Sequence, residues 1–536
     1  MKIIRAALLM LTVFAAAQGL AEQNSAEAQS PYRLVFGSFQ SMQNATNSAS
    51  RLSLRLKTVI IAEAFEREEG IWYRVVSEAR SPQQLAELAR TADAAQLRYW
   101  RLFGEQTQVA ASRVDRQAPV TGPPPVRPVE LAGTPDRTSN EPAADSVVQM
   151  LDLDLGLQSQ TFFRSGLDGQ SKFHPSVSLR ADYYRNWDNE RQSFTAAPFF
   201  RYDAQDSDRT HFDLREFFWT RVGDSWDLHL GVKQVFWGVT EFNHLVDIIN
   251  QTDLVENIDL EEKLGQPMAH LSIIRDWGIV DFHLLTGFRE RTFPGEDGRL
   301  RRALPVDTNS ADYESGAEDK RIDGAIRWSH NLGPLEFGLY HFSGTSRDPQ
   351  FELRQKGNGN YYLKPFYPVI DQTGFDGQVI FGDWAWKLEA ISRSGFGDRY
   401  AAATGGFERT LVGVFGGRTD LGLIAEYMWD ERDDEAFNTL FEHDLAFGTR
   451  WQVNDMANTQ ALLGLIWDVD THEYIVKLEA SRRLGDTWTL LVEGRAFGGA
   501  HSPDPDDSPS DLLDPDNKLG PVMRDDFLQL EITRYF

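Results

Sequence analysis

Asp526-Phe-Leu-Gln-Leu-Glu-Ile-Thr-Arg-Tyr-Phe536 decides the fold. Leu528, Leu530 and Ile532 alternate with Gln529, Glu531 and Thr533. A period of two is a strand with one apolar and one polar face. The same alternation recurs upstream. Leu151, Leu153, Leu155 and Leu157 alternate with Asp152, Asp154 and Gly156. Trp226, Leu228 and Leu230 alternate with Asp227 and His229, and Trp384, Trp386 and Leu388 with Lys387 and Glu389. Tyr474, Val476 and Leu478 alternate with Lys477 and Glu479, and Trp488, Leu490 and Val492 with Glu493 and Arg495. The pattern predicts a mainly β region over residues 147–536, as a large antiparallel barrel of about eighteen strands, with sixteen as the alternative.

The connections give an independent test. Eight are tight: 188–190, 223–225, 276–278, 331–333, 382–383, 416–418, 454–455 and 485–486. The connections between them include the long ones, at 239–266, 292–319, 345–371 and 498–525. Short turns on one side and long loops on the other, closed by a strand that ends in an aromatic residue, resemble a bacterial outer-membrane β-barrel. That resemblance implies periplasmic termini and a wet lumen unless a loop fills it. Arg534 stands where such closing strands carry an apolar residue, and an Arg near the rim can snorkel.

Composition agrees. Past residue 22 no apolar run is long enough for a transmembrane helix, so a membrane-spanning chain must close a barrel. Aromatics make up 12%, enough for girdles at two interfaces. The net charge of −26 excludes a nucleic-acid partner, which needs clustered Lys and Arg. It is compatible with acidic external loops or with cation selectivity, and only the lumen decides between these. There is no Cys, so neither disulfides nor a lipoprotein anchor are expected. Lys2 and Arg5, an apolar run over 6–17 and Gly19-Leu20-Ala21 predict a signal peptide over residues 1–21.

Residues 31–104 read as strand, helix, strand, strand, helix, strand. The strands are predicted at 32–39, 58–65, 71–76 and 99–103, with helices over 41–57 and from Ser81-Pro82. This βαββαβ order gives an α+β unit with helices on one sheet face and an open face opposite. With Leu34-Val-Phe-Gly-Ser-Phe39 and Gly70-Ile-Trp-Tyr-Arg-Val-Val76 it resembles a SPOR domain. The resemblance implies binding to peptidoglycan glycan strands, with Val35, Ser38, Trp72 and Arg74 as the glycan-binding candidates. Val35 departs from the Gln frequent in that family, whereas Ser38 and Trp72 match. Trp72 is read either as a platform for sugar C–H faces or as core. Residues 105–146, with seven prolines and no period, read as a linker. It spans on the order of 35 Å as a coil and roughly 120 Å fully stretched.

Lys233-Gln-Val-Phe-Trp-Gly238 leads into Asn243, Asp247, Asn250, Gln251 and Asp253. This stretch is similar to one in several porin-like outer-membrane families, with Lys233 where Arg is usual and Asp247, Asn250 and Asp253 at helical spacing. Lys233, Gln234, Trp237, Asn243, Asp247, Asn250 and Asp253 are therefore candidates for a constriction folded into the lumen, the alternative being a solvent-facing loop. Strand parity places Asp213, Arg215, Asp227, His229, Lys233, Lys387, Glu389, Lys477, Glu479, Glu493, Arg495 and Glu531 in the lumen, where mixed charges either line a pore or zip it shut. The acidic run from Asp504 to Asp516 lacks EF-hand spacing and reads as a solvated loop, with surface calcium bridged to lipopolysaccharide as the alternative. No Gly-x-Ser-x-Gly, His-Glu-x-x-His or cysteine nucleophile is present, so neither catalytic residues, resident metal nor cofactor are expected. His211, His270, His283 and His341 lie in or near strands and read as structural.

The reading is an outer-membrane channel for an unspecified small solute, tethered to peptidoglycan. The alternative is a closed barrel that only anchors membrane to wall. Outer-membrane lipid, lipopolysaccharide and the outer-membrane assembly machinery are the other expected partners.

Overall fold

The computed structural model describes residues 32–39, 60–67, 70–79, 100–102, 147, 149–188, 191–432, 439–455, 457–504, 507–509 and 511–536. The predicted signal peptide, both predicted helices of the N-terminal unit and nearly all of the predicted linker lie outside these residues.

Four strands form the N-terminal sheet: β1 (Tyr32–Phe39), β2 (Ile60–Arg67), β3 (Gly70–Ala79) and β4 (Trp100–Leu102). Their order is β2-β3-β1-β4, all antiparallel. The register pairs Ser38 with Arg74 and Val35 with Val76, and shifts between Val35 and Gly37. That irregularity interrupts the alternation along β1. Val75 and Val76 point to opposite faces and both are buried, so the expected open face does not extend to Val76.

The remaining strands are mostly long. They begin with β5 (Gln149–Phe162), β6 (Phe173–Trp187), β7 (Gln192–Asp203), β8 (His211–Val222), β9 (Trp226–Lys233), β10 (Gln266–Arg275) and β11 (Gly278–Leu285). Then come β12 (Asp312–Tyr313), β13 (Asp323–Leu332), β14 (Leu335–Thr345), β15 (Gln350–Gln355), β16 (Tyr361–Tyr367), β17 (Val369–Phe381) and β18 (Trp384–Ser394). The last are β19 (Tyr400–Val414), β20 (Thr419–Asp430), β21 (His443–Gln452), β22 (Gln460–Asp468), β23 (Tyr474–Leu484), β24 (Trp488–Gly498) and β25 (Phe527–Tyr535). Eighteen of them close a single antiparallel barrel, while β12, β16 and β15 form a small sheet within the long connections. The barrel is sealed by β25, which pairs with β24 on one side and β5 on the other. Each of the eight predicted tight turns joins two neighbouring barrel strands. The longest connections follow β9, β11, β14 and β24, all on the opposite end. Among the described residues no helix is long and apolar enough to cross a membrane.

Alternation sorts the two faces. Leu230, Leu339, Leu423, Leu463, Leu528 and Leu530 are exposed on the outside of the wall. Trp277, Phe381, Trp386, Phe415, Trp488 and Phe536 ring the turn end, and Phe163, Phe173, Tyr202, Phe212, Tyr427 and Trp467 the loop end. An apolar band between two aromatic girdles on a closed barrel is a membrane-spanning surface, because lipid satisfies no backbone polar group and a closed barrel leaves none unpaired. Arg534 lies over the rings of Trp488 and Phe536, at 5.5 and 4.5 Å, which is how a cation is held at the rim.

The inner face is not uniformly polar. Met268, Leu285, Tyr340, Phe342, Ile370 and Ile391 point inward and are buried there in one apolar cluster. Inward apolar side chains need a partner inside the barrel.

Candidate functional site: a strap across the lumen

The partner is the connection between β9 and β10, residues 234–265. Its two ends are stapled together. Asn250, almost fully buried, accepts the N–H of Val235 at 2.8 Å and donates to the carbonyls of Lys233 and Leu264, both at 2.9 Å. Lys263 Nζ lies 3.1 Å from Asp247 Oδ2, and the Gln234 amide donates to the Lys263 carbonyl. Asp253 accepts the Thr292 hydroxyl at 2.7 Å, which ties the strap to the connection after β11. The segment contains no helix, so the expected helical spacing of Asp247, Asn250 and Asp253 is not realised. Side-chain staples and wall contacts satisfy its backbone instead.

Two buried carboxylates, on wall strands either side of β19, hold the first half. Glu389 of β18 accepts the N–H groups of Val239 at 2.7 Å and Thr240 at 3.0 Å, and the Thr240 hydroxyl at 2.6 Å. Glu426 of β20 accepts the N–H groups of Glu241 at 2.7 Å and Phe242 at 3.0 Å. His244 Nδ1 sits 3.7 Å from Glu389 Oε1. Burial pushes the His244 imidazole down, but the Glu389 carboxylate outweighs it and leaves the ring above its usual value. Asn243 donates to the Thr404 hydroxyl at 3.2 Å.

Apolar anchors complement these bonds. Phe242 packs on Ile424, Met428, Ala446, Leu462 and Ile466. Its seat exists because Gly448 and Gly464, paired across β21 and β22, carry no side chain. A Cβ at either position would meet the Phe242 ring at 2.8 or 2.6 Å. Trp237, Val246, Ile248 and Ile249 fill the larger apolar cluster, on the adjoining wall from β10 to β19. The Trp237 ring packs 4.9 Å from Tyr340 and 5.5 Å from His283.

Ion pairs fix the second half. Arg201 of β7 grips Glu256 through two bonds of 2.8 Å, and Arg215 of β8 lies 3.7 Å away. Burial raises the Glu256 carboxyl, but Arg201, Arg209 and Arg215 outweigh it and bring it down to about 2. Asn257 donates to Glu493 of β24 at 3.3 Å, and Asp259 pairs with Arg495 at 3.1 Å. Arg450 of β21 pairs with Glu241. The strap therefore touches the wall on strands all around the barrel. It lies inside the barrel and does not face outward as a solvent-exposed loop.

The luminal candidates sort into two kinds. Arg215, Glu389, Lys477, Glu479, Glu493 and Arg495 face inward and contact the strap or its anchors. Asp213 pairs with Arg289 at 2.7 Å, Lys233 Nζ lies 5.2 Å from the Phe218 ring, and Glu531 accepts from Gln158 at 2.9 Å. His229 stacks on His270 at 5.1 Å, and His270 on His283 at 4.2 Å. His341 lies on the outer face instead, 3.1 Å from Asp371. The constriction candidates Trp237, Asp247, Asn250 and Asp253 shape the strap from within. Glu426, Phe242, Gly448, Gly464 and Glu256 were not legible as site residues. The inward parity of Glu426, Gly448 and Gly464 was the available signal.

No protein-family model matches the chain. No curated protein matches it either. Among solved structures it is similar to OccK3 (OpdO) of Pseudomonas aeruginosa, with 9% identity over 72% of this chain and 95% of that one, TM-score 0.41. OccAB1 of Acinetobacter baumannii shares 8% identity over 73% and 96%, TM-score 0.40. A loop-deletion mutant of OmpT, an outer membrane protein of Vibrio cholerae, shares 9% over 73% and 100%, TM-score 0.37. The fold assignment rests on the closed sheet itself and not on these likenesses.

Proposed function

We propose that the chain is an outer-membrane channel whose lumen is narrowed by the 234–265 strap and whose N-terminal sheet binds peptidoglycan. One observation carries the channel reading. Inward-facing or strap-borne charged side chains stay open to water inside the barrel, with Glu261 50% and Arg450 39% exposed. Charged groups that merely zipped the lumen shut would be desolvated as well as paired. The solute is small, and no catalytic role is proposed. The membrane would be the bacterial outer membrane, where closed β-barrels of this pattern reside, with lipopolysaccharide outside and the assembly machinery acting on the terminal strand.

The wall-anchoring reading rests on the resemblance of residues 31–104 to a SPOR domain, with Val35, Ser38, Trp72 and Arg74 as the candidate glycan contacts. The apolar clusters inside the barrel support the alternative of a closed barrel that serves only as an anchor. Planar-bilayer recording of the purified full-length protein separates the two. Discrete conductance steps are expected, and silence in all electrolytes favours the anchor. For the tether, the full-length protein is expected to be retained on amidase-treated sacculi in detergent. Equal retention of a Trp72→Ala, Arg74→Ala variant would remove the glycan assignment.

A further inference from the structure

We infer that the lumen selects for cations, inorganic or organic, at the edge of the strap where Glu261 meets Glu479 of β23. This rests on the channel reading. Six charged groups form one network there. Lys477 lies 3.3 Å from Glu479 and 4.0 Å from Glu261. Arg495 lies 3.1 Å from Asp259, 3.1 Å from Glu493 and 3.2 Å from Glu479. Two cations thus face four carboxylates.

Exposure decides which sign a solute meets. The side chains of Lys477 and Arg495 are 7% and 3% exposed, whereas Glu261 and Glu479 are 50% and 35% exposed. The cations are buried behind the carboxylates they hold, so Glu479 puts negative charge on the water side; burial and the neighbouring Asp259 push the Glu261 carboxyl up to about 8, and it adds its charge as pH rises through that value. Glu262 repeats the arrangement on the β8 side, with Arg215 buried behind it at 3.5 Å.

The exposed cations do not reverse this. Arg450 belongs with Lys387, Glu241 and Glu408 to a set of two cations and two carboxylates, which carries no net charge. Arg289 is matched by Asp213 at 2.7 Å. Toward the turn end, Arg180 sits 3.0 Å from Asp182 with Asp154 and Glu216 close by, again more carboxylates than cations. A narrow lumen with low-dielectric walls and net negative charge draws in cations and repels anions. Binding stays weak enough for passage, because the carboxylates already share their charge with Lys477 and Arg495.

The test is the reversal potential of the full-length protein in a planar bilayer under a KCl gradient. The sign for potassium flow is expected, and the Glu261→Gln, Glu479→Gln variant should lower the potassium-to-chloride permeability ratio by roughly twofold or more. A reversal potential at zero or of the chloride sign overturns the inference while the steps themselves uphold the channel. A variant with an unchanged ratio overturns the assignment to this network. Glu262→Gln, alone and added to the pair, provides a second handle if the double variant assembles poorly, and a ratio unmoved by it counts against the inference in the same way. No steps at all would remove the channel reading and the inference with it.

Discussion

Glu389 holds three donors of the strap on a single carboxylate oxygen, deep in the lumen. Removing a buried acceptor leaves its donors unsatisfied, at about 1–3 kcal/mol each. Glu389→Ala should therefore free the strap while the barrel stays closed. Limited proteolysis is expected to cut near residue 240 in this variant and not in the unmodified protein, with unchanged heat-modifiability on SDS gels. Glu256 makes the pH prediction. Its carboxyl is held at about 2, against about 4.5 in the unfolded chain, so the folded form prefers the carboxylate. The stabilisation is complete above the unfolded value and is lost as pH falls from about 4.5 toward 2. Conductance noise should rise as pH falls below about 4, and Glu256→Gln should abolish that rise. Gly464 gives a steric case, since a side chain there overlaps the Phe242 ring. Gly464→Val should unseat Phe242, at about 1.5–3 kcal/mol of lost burial, and make the strap protease-sensitive as Glu389→Ala does.

At the scale of elements, the strands were legible because one face must meet lipid. Leu528, Leu530 and Ile532 are exposed outward, and Gln529 is buried inward, as the period of two requires. Leu530→Arg should destabilise the barrel by about 2–4 kcal/mol, as read by urea unfolding in detergent or lipid. The long connections were legible from their lengths and turn residues. The course of the strap was not, because its bonds join residues far apart in sequence: Val239 to Glu389 and Phe242 to Glu426. Asp247, Asn250 and Asp253 suggested helical spacing, but they hold a chain that doubles back, with Thr252 bridged to Lys263. Phe342, Ile370 and Ile391 were hidden for another reason. They sit at inward parity yet are apolar, and hydropathy alone assigns such residues no side of the wall. In the N-terminal sheet the four strands fall close to their expected positions, and the irregularity between Val35 and Gly37 could not be read from alternation.

At the scale of the whole molecule, a closed barrel encloses a strap that is bonded to its inner wall. The central claim is that residues 234–265 narrow a water-filled lumen. Its most direct test is the single-channel conductance of the full-length protein beside one in which residues 239–262 are replaced by a short Gly-Ser link. The account predicts a larger conductance for the shortened chain in the same electrolyte. An equal or smaller conductance, from a barrel shown to be closed and inserted, would contradict it.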